Sequence, residues 1–207
     1  MSRRQIGLLG GTFNPLHFGH INLALELKEK KGLDEVWLIP ALLSPFRVHE
    51  PLLPPVHRLK MIELAVESIP GFQVCSIEMD RPPPSFTIET VKTLISSYPD
   101  CSFNLLCGED ILLRFQEWKE PLELVRLIPL WIGSRRHSKL LDLLPDMGLS
   151  SEISLAIQRG IVPTRQFEIS ATDIRERFKK DLYCGHLLPS KVLDYIYAHQ
   201  LYFNALT

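Results

Sequence analysis

Gly10-Gly11-Thr12-Phe13-Asn14-Pro15-Leu16-His17-Phe18-Gly19-His20 decides the fold class of this chain through what stands on either side of it. Before it, Gln5-Ile6-Gly7-Leu8-Leu9 reads as a short buried strand; after it, Ile21, Ala24, Leu25 and Lys28 recur at helical spacing. The segment is therefore a strand-to-helix turn. There, Gly10 and Gly11 are expected to let the backbone turn sharply and bring N–H groups close to an anion, while the opening amides of the helix add positive potential. His17 and His20 are three apart, so both rings project from one face of a first helical turn. Two imidazoles beside a cradle of amides suit a polyphosphate. A glycine turn with two incidental histidines is the plainer alternative, and a metal-binding pair is another. Zinc takes three or four protein ligands, however, and no Cys or carboxylate stands beside the pair.

Working outward, Glu35-Val36-Trp37-Leu38-Ile39-Pro40 reads as a second strand stopped by its proline, followed by a proline-studded loop. Helical spacing returns from His57 through Leu59, Met61, Ile62, Ala65 and Val66, and Phe72-Gln73-Val74-Cys75 reads as a strand. Residues 87–95 are expected to be helical, residues 102–107 form an apolar strand ending at Gly108, and Leu130-Trp131-Ile132-Gly133 suggests another. This alternation predicts an α/β fold: a Rossmann-like doubly wound parallel sheet with a helical C-terminal part at about residues 167–207. Ligands in such sheets collect at the carboxyl ends of the strands, where Gly10, Pro40, Gly108 and Gly133 fall. Residues 134–165 read as a loop.

Composition narrows the class. The 207 residues favour one domain, and 45% hydrophobic with 23% charged content is ordinary for a globular chain. A formal net charge of −1 argues against a general nucleic-acid binder. Cys75, Cys101, Cys107 and Cys184 form no C-x-x-C pair and read as free thiols in a reducing, cytoplasmic compartment. No apolar run reaches membrane-spanning length; residues 124–133 are broken by Arg126 and Pro129. Neither a nucleic acid nor a membrane is an expected partner, and a monomer and a homo-oligomer are both compatible with the sequence.

Two further segments carry chemistry. Phe167-Glu168-Ile169-Ser170-Ala171-Thr172-Asp173-Ile174-Arg175 reads as strand into helix, with Ser170 as N-cap and Asp173 as a weak capping-box partner. Capping alone accounts for Ser170 and Asp173; it leaves Thr172 and Arg175, whose hydroxyl and guanidinium could converge on a triphosphate. Cys107-Gly108-Glu109-Asp110 precedes Leu112, Leu113, Phe115 and Trp118. Either Asp110 caps a helix whose Trp118 is core, or Asp110 accepts hydrogen bonds from ribose hydroxyls and Trp118 stacks on an aromatic ring.

The first segment resembles the Gly-x-Phe-x-Pro-x-His-x-Gly-His signature of the nucleotidyltransferase superfamily, and Ile169-Ser170-Ala171-Thr172-Asp173-Ile174-Arg175 resembles its C-terminal Ile-Ser-x-Thr-x-x-Arg signature. It is distinct from the dinucleotide-binding glycine fingerprint and the Walker loop. Pro40, Pro45-Phe46-Arg47, His57-Arg58-Leu59-Lys60-Met61, Pro84-Ser85-Phe86-Thr87-Ile88-Glu89-Thr90, Gly108-Glu109-Asp110 and Trp118 stand in the order seen in bacterial nicotinate-nucleotide adenylyltransferases. The resemblance covers essentially the whole chain as a single nucleotidyltransferase domain. It implies transfer of AMP from ATP to nicotinate mononucleotide, with magnesium carried by the ATP phosphates.

Carried over, the resemblance implies ATP binding by Gly10, Gly11, Thr12, Phe13, His17, His20, Gly108, Asp110, Ile169, Ser170, Thr172 and Arg175, with His17, His20 and Arg175 as the catalytic set. Arg47, Thr87 and Trp118 would bind the acceptor, its carboxylate received by Thr87 and the backbone around Trp118. The chain departs from the family pattern at Phe46-Arg47 (commonly His-Lys), Phe86 (Tyr), Glu109 (Ala) and Ala171 (Ser). Arg47 keeps a cation but changes its hydrogen-bond geometry. His57-Arg58 reads as a surface or capping element. Competing readings are an adenylyl- or cytidylyltransferase for the amide mononucleotide or a phosphopantetheine, and a nucleotide-binding regulator that has lost catalysis; the latter would be expected to lose a motif histidine or Arg175, and all are present.

Overall fold

The computed structural model describes residues 3–46, 51–134, 148–165 and 167–203. Six strands, β1 (Arg4–Gly11), β2 (Glu35–Pro40), β3 (Phe72–Val74), β4 (Cys101–Gly108), β5 (Leu130–Ser134) and β6 (Ile161–Pro163), form one sheet in the order β3-β2-β1-β4-β5-β6. Every adjacent pair is parallel. The helices are α1 (Phe18–Lys31), α2 (Pro55–Val66), α3 (Thr87–Ser97), α4 (Pro121–Leu127), α5 (Ser151–Gly160), α6 (Ala171–Lys179) and α7 (Ser190–Ala198), with a 3-10 helix over Glu109–Glu117.

Strand alternation sends side chains to two cores. Ile6, Leu8, Trp37, Ile39, Phe103, Leu105 and Ile132 pack with Val91 and Leu94 of α3, Leu124 of α4 and Ile157 of α5. On the other face Leu9, Val36, Leu38 and Leu106 meet Ala24 and Leu27 of α1, Met61 and Ile62 of α2, and Ile174, Phe178, Val192 and Ile196 of the C-terminal helices. Both faces are thus covered, as a parallel sheet requires. Chain direction reverses its winding between β1 and β4, which opens a crevice at their carboxyl ends.

Three details differ from the sequence reading. Residues 148–165 are not a plain loop: they hold α5 and β6. β6 is only 3 residues long and ends at Pro163, so it has no alternation to read, and proline is tolerated because this strand is the sheet edge. Residues 167–170 form no strand; Ile169 N–H donates to the Phe167 carbonyl at 3.0 Å, a local turn. Finally, Gly10 and Gly11 remain in β1, paired with Ile39 and Pro40, and the sharp turn falls at Phe13, a buried non-glycine residue at φ 45°. The Arg135-Arg136-His137 stretch, read as a solvated loop, lies outside the described residues.

Candidate active site

A cavity of about 320 Å³ opens at the ends of β1, β2 and β4. Of the residues singled out from sequence, Gly10, Gly11, Thr12, His20, Thr87, Gly108, Asp110 and Trp118 line it. No atom stands within 4 Å of where a side chain at Gly10 would begin, so the strand end is bare toward the cavity. Across from it, a Cβ on Gly108 would stand 2.5 Å from Asp110 Oδ1. Glycine at 108 is what lets the Asp110 carboxylate fold back over the end of β4.

His17 and His20 do not share one environment. His20 lines the cavity, and its Nδ1 accepts the His17 backbone N–H at 3.3 Å. An accepting Nδ1 carries no proton, so the ring proton sits on Nε2. His17 is only 6% exposed, and its Nδ1 is buried without a partner among the described residues. Burial pushes its pKa down to about 4, so the ring is neutral at physiological pH. The two rings lie 3.8 Å apart between centroids at 30°. The opening turn of α1 offers fewer amides than expected. Phe18 N–H donates to the Leu187 carbonyl at 3.1 Å and His20 N–H to the His17 carbonyl at 3.0 Å.

The second motif reaches the first through the backbone of the turn. Ser170 caps α6, its Oγ accepting from Thr172 N–H at 3.2 Å. Arg175 donates to the Asn14 carbonyl at 2.9 Å and to Thr172 Oγ1 at 3.1 Å. A Cβ at Gly19 would stand 3.0 Å from the His17 ring, so glycine there leaves that ring room, and it would stand in ordinary contact with Ile169 Cβ at 3.7 Å. Ile169, Ser170, Thr172 and Arg175, like Phe13 and His17, adjoin the cavity residues in the chain or fold without lining the cavity itself. Arg47 lies outside the described residues.

Sequence reasoning passed over three residues that hold the site. Arg58, read as a surface element, is 1% exposed. Its guanidinium donates to the carbonyls of Thr12 (2.9 Å), Ala41 (2.7 Å), Leu42 (3.0 Å) and Leu53 (3.1 Å), tying together the loops after β1 and β2. Burial lowers its pKa from the ordinary arginine value. Its position was readable: Arg58, Met61, Ile62 and Ala65 follow the i, i+3, i+4, i+7 stripe that faces the core. Asn14 is a buried hub, its Oδ1 accepting from Tyr202 Oη at 2.8 Å and from Leu53 N–H at 3.4 Å. Tyr202, the third, is held neutral by burial, which raises its pKa.

At the far end of the cavity, Thr87 opens α3 and the Trp118 ring stands 5.3 Å from that of Phe115. Trp118 N–H donates to the Phe115 carbonyl at 3.2 Å and is therefore already engaged. Lys119 Nζ lies 4.6 Å from the Phe86 ring centroid and 2.6 Å from Glu89 Oε1. Glu78, deep in the same wall, accepts from Thr90 Oγ1 at 2.6 Å, and burial raises its pKa.

Residues 8–177 match the family model described as cytidylyltransferase-like. The chain is 35% identical over 199 residues to the nicotinate-nucleotide adenylyltransferase of Bacillus subtilis, covering 96% of this chain and 98% of that relative. Among solved structures, Plasmodium falciparum nicotinic acid mononucleotide adenylyltransferase complexed with NaAD superposes with a TM-score of 0.76 at 18% identity, covering 97% of this chain and 98% of that one. The same protein complexed with APC gives a TM-score of 0.72, with the same identity and coverage. At that identity the structures speak to the fold, and they share the six-stranded architecture described above.

Proposed function

The chain belongs to the cytidylyltransferase-like family and, within it, to the nicotinate-nucleotide adenylyltransferases, and from that premise we propose that it transfers AMP from ATP to nicotinate mononucleotide, giving deamido-NAD and pyrophosphate in NAD biosynthesis. One observation carries the reading at the level of the site. A single cavity is lined both by the bare strand end with His20 and by Thr87 with Trp118. Two substrates, one a polyphosphate and one bearing an aromatic acid, would meet across it.

The chemistry needs no protein nucleophile. An oxygen of the acceptor's 5′-phosphate forms a bond to the α-phosphorus of ATP, the α–β bridging P–O bond breaks, and pyrophosphate leaves with the electron pair. The nucleophile is already an anion, so the protein's task is to align two anions and stabilise charge gathering on phosphoryl oxygens. His20 Nε2–H is the donor placed for that; the amides of residues 10–13 and Arg175 share it, with Ser170 and Thr172 at the triphosphate. His17 contributes as the neutral ring stacked behind His20. Asp110 and Gly108 serve the adenosine ribose, Ile169 packs the nucleotide end, and Arg47, Thr87 and Trp118 take the acceptor.

Among the described residues no group of three or more His, Cys, Asp or Glu side chains converges. Magnesium would enter with the substrate, carried by ATP phosphates and water. The chain works as one nucleotidyltransferase domain, and its four free cysteines suit a cytoplasmic setting. No helix among the described residues is long and apolar enough to cross a membrane.

The test is a substrate panel with ATP and magnesium, following pyrophosphate and the dinucleotide product. Turnover with nicotinate mononucleotide is expected. A preference for the amide form or a phosphopantetheine would replace the acceptor, and ATP binding without turnover on any acceptor would make the chain a regulator.

A further inference from the structure

The cavity lining offers one lysine to an acid-bearing acceptor. Glu78, Asp110 and Glu117 contribute three carboxyl groups, and among the described lining residues Lys119 is the one lysine or arginine. It directly follows Trp118 in the chain. There the Trp118 N–H is closed onto Phe115, which leaves the backbone at that point less able to receive a carboxylate.

Lys119 is also held in a defined place. Glu89, in the first turn of α3, takes one of its three ammonium donors at 2.6 Å, and the Phe86 ring supports the charge at 4.6 Å. Phe86 immediately precedes Thr87 at the start of α3, so the ammonium sits beside the helix end that carries Thr87, itself a lining residue. Phe86 and Lys119 thus work as a unit.

We propose that Lys119 is the residue that selects the acid over the amide form of the acceptor, its Nζ facing the substrate's ring carboxylate beside Thr87. This rests on the reading of the acceptor as a pyridine mononucleotide. A neutral carboxamide gains little from the ammonium, whereas a carboxylate would pair with it. Glu117 and Glu78 have their own cationic neighbours outside the lining, Arg114 at 2.8 Å and Arg81 at 3.9 Å, so the lysine is the cation that the lining itself offers. Glu89 is a positioning residue, holding the amine over Phe86 until the acid arrives.

The test measures kcat and KM for nicotinate and nicotinamide mononucleotides separately, with the unaltered chain, Lys119→Met, Lys119→Arg and Glu89→Gln. Lys119→Met is expected to lower the acid-to-amide ratio of kcat/KM roughly tenfold or more, the scale of losing one charge-assisted hydrogen bond, with the loss in the KM for the acid. Lys119→Arg should restore most of the ratio. Glu89→Gln should reduce it less than Lys119→Met, through displacement of the amine. Calorimetric binding of nicotinate mononucleotide to Lys119→Met gives a second readout independent of turnover. An unchanged ratio in Lys119→Met overturns the inference while leaving the activity standing. No turnover of either nucleotide by the unaltered chain overturns the activity and this inference with it.

Discussion

Arg175 Nη1 donates to the backbone carbonyl of Asn14 at 2.9 Å, joining two motifs 161 residues apart. The bond aims the C-terminal guanidinium at the turn after β1, and a second donor on Thr172 Oγ1 fixes the fork. Arg175→Ala is expected to lower kcat/KM for ATP about 10²-fold, since it removes a positioned cation from charge building on phosphoryl oxygens. Arg175→Lys should rescue little, because a single ammonium cannot reproduce the planar fork. Steady-state kinetics with varied ATP check this; unchanged constants would remove Arg175 from the mechanism.

Arg58 makes a different kind of prediction, one about stability. Its side chain satisfies four carbonyls at the ends of two loops and is almost wholly enclosed. Arg58→Met would leave those acceptors buried without a donor, at a cost of about 3 kcal/mol or more. Urea unfolding of the variant measures it, and a midpoint equal to that of the unaltered chain would mean water replaces the guanidinium at no cost.

The alternation in β1, β2 and β4 and the helical stripe of α2 are periodic signals, so the order and type of those elements were legible. β6 was not, because Ile161, Val162 and Pro163 are too few to show a period and pair only through the fold. At the site, Gly10, His20, Asp110, Thr87 and Trp118 were identified by residue type and motif, and they converge. Asn14 and Tyr202 were missed because they meet each other 188 residues apart in the chain, which no local pattern records, whereas the burial of Arg58 was legible in the stripe of α2 and only its carbonyl partners, 5 to 46 residues away, were not. His17 and His20 looked equivalent in sequence; only burial separates them.

His20 should behave as a donor in the transition state. Its Nδ1 accepts the His17 N–H, so the ring proton sits on Nε2, and the residue lines the cavity. His20→Ala is expected to fold and to lose roughly 10²–10³-fold in kcat, the size of a lost oxyanion contact. Rapid-quench measurement of the chemical step distinguishes this from slower product release, and an unaltered step would exclude His20.

Gly108→Ala tests the placement of Asp110. Gly108 has φ −83°, which alanine adopts readily, so the backbone is unstrained. The added methyl would press on Asp110 Oδ1, the end of an exposed side chain that can swing away. The KM for ATP is therefore expected to rise about tenfold, as for loss of a charged hydrogen bond, with little change in melting temperature. A variant that melts much earlier but binds ATP normally would show that Gly108 serves packing instead.

His17 gives the chain a pH dependence of stability whose sign follows from its burial. The ring's pKa is about 4 in the folded protein and near 6.5 when unfolded. Between those values the unfolded chain binds more protons, so stability rises with pH there and is lost as pH falls from 6.5 toward 4. The contribution lost between about pH 7.5 and about pH 5 is on the order of 2 kcal/mol. His17→Gln removes the titrating group, and its unfolding free energy should fall less over that interval than that of the unaltered chain, even if it starts lower. Urea titrations at both pH values give the difference directly. Equal losses in the two proteins would mean that His17 opens to solvent and protonates while folded, and a charged ring 3.8 Å from His20 would then oppose protonation of its neighbour.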